Sequence, residues 1–475
     1  TRYGGNLVRA CSVFVLFIAS FTYVTAQINA TGTIASRALG IPFEAGVWVG
    51  LISILICSML GGMRAVTWTQ VAQYIVLIIA YLIPVFWISS NVGGGIFPHL
   101  MLGDEVARLG ELEQQFGLVK NSAADMKAAG VPGGLKYISG THSGVPEGGM
   151  AVWKYLSLAI CMMVGTASLP HILMRYFTTP TVRAARKSVA WSLFFIFLLY
   201  SSAPMLATLS KLALMDPNLP TGIIGKSISE VQSIEWVQRW SEVKQVFIAD
   251  FNGDGILQLN EWFMRGDVVV LATPEVAGLP FVISGLVFAG GMAAAMSTAD
   301  GLVLAISNAL SHDIYYKIIN PKAETAKRLL VARTLLVIIG AAGAYIASFR
   351  LTSILGSVAW AFDFAMSGLF FPLVLGVWWK RATREGAIAG ILAGIISGTV
   401  YLTWVFPKFS VPIWGGVNTP FLGIDHLRFG LIGAPICLVV MVVVSLMTKE
   451  PSPATQKLVD DTRIPTGKAI LGKQH

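Results

Sequence analysis

The sequence predicts an all-α polytopic membrane protein with about ten spans. Three observations carry that prediction. First, 55% of its 475 residues are hydrophobic and only 12% are charged, about half the charged share of a soluble domain. Mean hydropathy is +0.69, and a soluble chain this apolar would expose large sticky patches. Second, ten apolar runs approach or exceed the roughly 20 residues that a spanning helix requires. Third, the basic residues alternate between the ends of those runs. Arg2, Arg9, Arg64, Arg175, Arg183, Arg186, Lys187, Lys317, Lys322, Lys327, Arg328, Lys380, Arg381, Arg384 and Lys449 fall on one set of turns. The opposite short turns hold only Arg37, Arg350, Lys408 and Arg428. The positive-inside rule puts the first set, the start of the chain and its tail in the cytoplasm.

The ten runs are 8–31, 45–62, 66–89, 152–173, 188–209, 280–310, 329–348, 352–379, 387–406 and 431–447. The first is too long for a signal-peptide core. The sequence opens on Thr1 close to an apolar run, so we expect a piece of a longer chain. Gly61-Gly62 and Gly93–Gly95 read as turns. The sixth run exceeds one span and is expected to begin as a shallow helix or a loop. Long segments at 90–149 and 215–278 fall on the outside. The tail from Glu450 has no apolar period and is expected to be disordered.

Composition excludes several functions. The net charge of +9 does not mark a nucleic-acid binder, because the basic residues sit in short runs without a basic stripe or interleaved aromatics. Cys11, Cys57, Cys161 and Cys437 lie in or beside apolar runs at spacings of no metal motif, and read as free thiols. There is no nucleophile triad, no phosphate-cradling Gly loop before a Lys and no HExxH, so nothing argues for an enzyme.

Four features carry chemistry. Asp250-Phe-Asn252-Gly-Asp254-Gly255-Ile256-Leu-Gln258-Leu-Asn-Glu261 fits the D-x-[DN]-x-[DN]-G-x₅-E calcium loop in full. Asp250, Asn252 and Asp254 would give side-chain oxygens and Ile256 a carbonyl. Gln258 would bind directly or through water, and Glu261 in bidentate fashion. Apolar residues at helical spacing flank the loop. The bland alternative is an acidic Asx turn that binds nothing. Gly290–Asp300 packs small residues around Ser297 and Thr298. These hydroxyls and the Ala294 carbonyl offer three oxygens to Na+, or merely bond back to the helix. In Gly165-Thr-Ala-Ser168-Leu-Pro170-His171, Gly and Pro weaken the span, making either a binding-site break or a simple kink. His171 reads as a helix cap or a headgroup contact. Asp300 and Asp363 are acids at membrane depth, which are functional or paired.

Several stretches resemble one family. They are Gly61-Gly-Met-Arg-Ala-Val-Thr-Trp-Thr-Gln70, Leu169-Pro-His-Ile-Leu-Met-Arg-Tyr-Phe177 with Ala184-Ala-Arg-Lys-Ser188, Ala293-Ala-Ala-Met-Ser-Thr-Ala-Asp300 and Trp378-Trp-Lys-Arg-Ala-Thr-Arg-Glu-Gly-Ala387. In order, they resemble the sodium:solute symporters, near the cation/acetate branch. The resemblance implies the inverted-repeat fold of the bacterial leucine transporter, with about three helices preceding this sequence. Residues 1–89 would then be the last three helices of the first repeat and 90–149 an external loop. Residues 150–214 would open the second repeat, 215–278 form an external loop with the calcium-type motif, and 279–379 complete that repeat. Two peripheral helices would occupy 380–448, and a cytoplasmic tail 449–475.

The resemblance also implies sodium ligands at Ala294, Ser297 and Thr298, and solute contacts at Gly165, Ser168, Pro170, Gln27, Trp360 and Asp363. It implies sodium-coupled uptake of a small solute, a monocarboxylate such as acetate, across a bacterial inner membrane. A small membrane subunit is an expected partner. Proline, a sugar or pantothenate are alternative solutes, and a solute sensor or a channel are alternative roles. Gln70 and Asp363 depart from the family pattern, and the calcium-type loop is an insertion.

Overall fold

The computed structural model describes residues 2–92, 95, 97–116, 123–132, 136–137, 149–176 and 179–463. Helix α1 (Asn6–Leu39) ends where Gly40 takes a left-handed conformation and bonds back to Ser36, a termination that favours glycine. Next comes α2 (Phe43–Asn91), 49 residues of continuous helical backbone. A straight helix of that length would run about 73 Å, far beyond a hydrocarbon core of about 30 Å. It is not straight. Ser58 bonds to the carboxylate of Asp300 and Gln70 to the carbonyl of Ser297, one turn away on the same helix, although a straight helix would hold Ser58 and Gln70 about 18 Å apart. So α2 bends sharply into two limbs, Phe43–Met59 and Val66–Asn91. The turn expected at Gly61-Gly62 is helical backbone instead. Gly93 and Gly94 lie outside the described residues.

The chain continues through α3 (Pro98–Phe116), α4 (Ala123–Ala128) and β1 (Lys136–Tyr137) into α5 (Gly149–Ser168) and α6 (Pro170–Tyr176). These last two form one span bent by 48°. Helix α7 (Val182–Met215) starts where the Thr181 side chain accepts from the Ala184 amide, a standard cap. A second extramembranous stretch holds α8 (Ile228–Ser233), α9 (Glu235–Glu242), β2 (Val246–Ile248), β3 (Trp262–Met264) and α10 (Val269–Val276). Helix α11 (Phe281–Asn308) begins directly after Pro280, with no shallow lead-in, and runs on as a π-helix to Ile319. Then follow α12 (Thr325–Ser348), α13 (Ile354–Ala365) and α14 (Phe371–Trp378). A π-turn at Met366–Phe370 joins α13 to α14; Pro372 has no N–H to continue the regular ladder there. Last come α15 (Arg384–Val405), α16 (Pro407–Trp414), α17 (Gly430–Met447) and α18 (Pro453–Asp461).

All ten apolar runs are helical. Among the described residues, eight helices are long and apolar enough to span alone, and the α5–α6 pair makes a ninth. The remaining run lies in the first limb of α2, whose helical backbone continues through Gly61-Gly62.

The described residues of 90–149 and all of 215–278 carry helices and strands between the spans. Strands β1, β3 and β2 form a small antiparallel sheet in that order, so the fold is helical with a minor β element. Trp240 and Trp262 are fully buried together with Leu209, Leu212 and Leu109. Ion pairs Lys211–Glu113, Arg108–Asp216 and Arg37–Glu275 staple this cap to α7 and α1. At the opposite end, α18 contradicts the expectation of a disordered tail. Val459 is buried and Lys380 pairs with Asp460 at 2.7 Å.

Helices α15 and α17 meet along glycines. A Cβ on Gly394 would lie 2.7 Å from Cys437 Cβ and 3.1 Å from the Gly433 carbonyl. Only glycine permits that approach.

Candidate functional site

Ala294, Ser297 and Thr298 lie within one turn of α11. Ser297 Oγ donates to the Ala294 carbonyl at 2.9 Å, and Thr298 Oγ1 approaches the same oxygen at 3.4 Å. The back-bonded arrangement is therefore the one present. It also gathers three oxygens on one helix face, half of the six-oxygen shell of a hard cation. The side chain of Gln70 donates to the Ser297 carbonyl at 2.5 Å, tying the second limb of α2 to this turn. One turn on, Asp300 is fully buried. Its Oδ1 accepts from Ser58 at 2.9 Å, while Oδ2 has no partner.

The break at Leu169 divides α5 from α6. Ser168 Oγ donates to the Gly165 carbonyl at 2.9 Å, and Pro170 opens α6 without an N–H to bond back. Helix α6 packs against α11, where Arg175 reaches the backbone at Gly301. Gly165 presses on α13: an added Cβ would lie 2.5 Å from Phe362 Cβ and 2.7 Å from its carbonyl oxygen. Tyr23 of α1 sits edge-on to both Phe362 and His171, with ring centroids 5.5 and 5.8 Å away. Gln27, one turn along α1, is half-buried on the same face. Gly165, Ser168, Pro170 and Gln27 thus gather where α1, α5, α6 and α13 meet. Tyr23, His171 and Phe362 join them, and sequence reasoning had not placed these three. The usable signal was the Pro-His step directly after the weakened turn.

Trp360 and Asp363 do not belong to this cluster, which corrects the expectation. Successive residues of a helix are rotated by about 100°, and Phe362 takes the inward position. Trp360 donates its indole N–H to His426 Nδ1 at 3.1 Å and stacks on Phe406 and Phe409. Asp363 is fully buried between α5 and α17, beside Cys161 and the Gly430 backbone.

Two cavities, about 580 and 460 Å³, open at the α18 end of the bundle. Both reach Leu16 of α1, Pro170 at the break and Asp313. Leu458, Val459 and Thr462 of the α18 segment line the larger one. The packed cap covers the opposite end.

The calcium-type loop is not flanked by helices. It joins β2 to β3 in a hairpin, with Ile248 opposite Trp262. The backbone amides of Gly253 and Gly255 donate to the two Asp250 oxygens at 2.7 and 3.0 Å. Those of Phe251 and Gln258 donate to the Glu261 oxygens at 2.9 and 3.0 Å. Asp254 accepts from the Ile256 amide and from Asn252 and Gln258 side chains, and the Ile256 amide foremost holds its carboxyl below the usual range. Among the described residues, no three His, Cys, Asp or Glu converge as metal ligands. Gly253 and Gly255 have φ of 72° and 71°, which fits glycine.

A bundle of apolar helices with one broken span, a hydroxyl-bearing small-residue helix beside it and two cavities at one end is a multi-pass membrane transporter. The comparisons make that specific. The profile of the sodium:solute symporter family matches residues 1–220 and 268–394. A symporter of Cupriavidus necator is 36% identical over 97% of this chain and 77% of its own length. The chain belongs to the sodium:solute symporter family. A monocarboxylic acid transporter of Corynebacterium glutamicum is 25% identical over 91% of this chain and 69% of its own length. The structure of a Na+-coupled sialic acid symporter, in a substrate-bound outward-open state, superposes with a TM-score of 0.60. It covers 95% of this chain and 76% of that protein at 14% identity. The chain thus has the inverted-repeat fold of the leucine-transporter type and serves sodium-coupled solute transport.

Proposed function

We propose that this symporter takes up a small monocarboxylate such as acetate together with Na+, by alternating access. One observation carries the reading: the second half of a broken span packs on α11 next to the turn bearing Ser297 and Thr298. A sodium ion held by the Ala294 carbonyl and these two hydroxyls would lie close to a solute at the break. Binding of one would then favour binding of the other. The monocarboxylate class is supported by the Corynebacterium relative.

The positive-inside bias of the basic turns supports an α18 end facing the cytoplasm of a bacterial inner membrane, and uptake would then run from the cap toward the tail. Inward sodium movement then supplies about 2.3 kcal/mol per charge per 100 mV in addition to its concentration gradient. A small membrane subunit is a further proposed partner, as is weak calcium binding by the loop at Asp250–Glu261, carried by its residue pattern alone.

Full-length protein in proteoliposomes tests the main reading. Acetate uptake should rise with an inward sodium gradient and lose that stimulation in the S297A/T298A double variant. Uptake indifferent to sodium, or intact in the double variant, rejects it.

A further inference from the structure

We propose that His171, facing Tyr23, recognises the carboxylate of the transported solute. This deepens the monocarboxylate reading above and rests on it.

His171 is the second residue of α6 and is 6% exposed. Its Nδ1 is buried and has no hydrogen-bond partner among the described residues. Leaving such a group unsatisfied costs about 1–3 kcal/mol, and each such atom in a folded protein calls for an explanation. The residue before it, Pro170, lines both cavities at the α18 end, so His171 lies one residue along the chain from their wall. Across from it is Tyr23, with ring planes at 74°. Phe362 closes the far side of Tyr23 at 84°.

A neutral imidazole carries one N–H donor and one acceptor, and the partner decides which nitrogen holds the proton. A carboxylate accepts only. It selects the tautomer protonated on the nitrogen facing it and gains a charge-assisted hydrogen bond. Arg175 lies one turn further along α6, its Nε 3.3 Å from the His171 carbonyl. It adds positive potential on the same side. The apolar part of the solute meets the Tyr23 and Phe362 rings. The contact of Gly165 with Phe362 leaves no depth beyond them. The ligand class is a small monocarboxylate, held by its charged end at His171.

The test uses full-length protein in proteoliposomes, with labelled acetate at a fixed sodium gradient. Sodium binding without solute is followed by intrinsic tryptophan fluorescence. H171F keeps a ring and removes the donor; H171Q restores a donor. One lost charge-assisted bond predicts a KM for acetate raised at least about tenfold in H171F, with sodium affinity within about twofold of wild type. H171Q should recover part of the loss, and neutral acetamide should compete poorly with acetate. An unchanged acetate KM in H171F, or acetamide competing as well as acetate, overturns the assignment. So does a joint loss of sodium binding and uptake in both variants, which would make the ring a packing element. Sodium-independent acetate uptake by wild type refutes the symport reading while the His171 comparison still stands. No uptake of acetate, propionate or lactate by wild type refutes both.

Discussion

Gly165→Ala offers the sharpest test of where the solute sits. The added methyl would lie 2.5 Å from Phe362 Cβ, 2.8 Å from its Cα and 2.7 Å from its carbonyl oxygen. Two of these are backbone atoms that cannot rotate away. Ordinary contact needs about 3.4–4 Å, so α5 and α13 must separate by roughly 1 Å. Overpacking of this kind costs about 1–3 kcal/mol. Replacing a helical glycine by alanine returns about 1 kcal/mol of propensity. The net cost in stability is then about 0–2 kcal/mol, and melting in detergent should move little. Function should move much more, because a 1 Å misplacement at a reacting or binding centre can cost about 10²-fold. We expect sodium-driven acetate uptake to fall at least about tenfold with the fold intact. Gly390→Ala is the control. Its added methyl would lie 2.7 Å from Met441 Cβ and 3.0 Å from the Cys437 carbonyl oxygen, all within the α15–α17 seam. It should lower the melting temperature and leave the acetate KM alone. Normal uptake by G165A, or a raised KM in G390A, would refute the placement of the solute at the break.

Glu275→Ala removes the carboxylate that pairs with Arg37 at 2.7 Å and accepts from Trp240. Stranding the buried guanidinium should cost about 3–5 kcal/mol and appear as early protease cleavage of the cap, whereas Glu235→Ala at an exposed pair should change little. Asp460 is held below the usual carboxylate range by its bond to Lys380 and, further, by Arg463. A depressed carboxyl stabilises docking above its ordinary pKa of about 4 and stops doing so as pH falls through its folded value. Amide exchange over 453–461 should therefore be slow at pH 7, quicken below about pH 4, and quicken at pH 7 in K380A. Calorimetry on the purified protein decides the calcium loop: weak binding heat should vanish in D250A/D254A, and a wild type with no heat refutes it.

Hydropathy exposed the spans because twenty apolar residues cannot be hidden in a sequence. It was silent on which face of a span looks where, since a helix apolar on every side has no marked face. That is why Trp360 and Asp363 pointed nominally at the site while the chain turns Phe362 there. The two limbs of α2 were legible, but their joint was not, because Gly61-Gly62 reads as an open turn when taken locally. The cap was missed for a different reason. Its core is assembled from short pieces far apart in sequence, such as Leu109, Leu212, Trp240 and Trp262, and no local period announces them. The proposed ion ligands were visible only as small and hydroxylated residues, a pattern that also serves close packing. The broken span was readable because Gly and Pro act on the backbone directly.

Asp300 has a consequence for motion. Its carboxylate fastens α11 to the first limb of α2, and Gln70 fastens the turn just before it to the second. The hydroxyl face offered to the ion therefore belongs to a fixed frame, like the jamb of a door. Whatever swings to admit or free the ion would then hang on the other side, where α5 and α6 form the break.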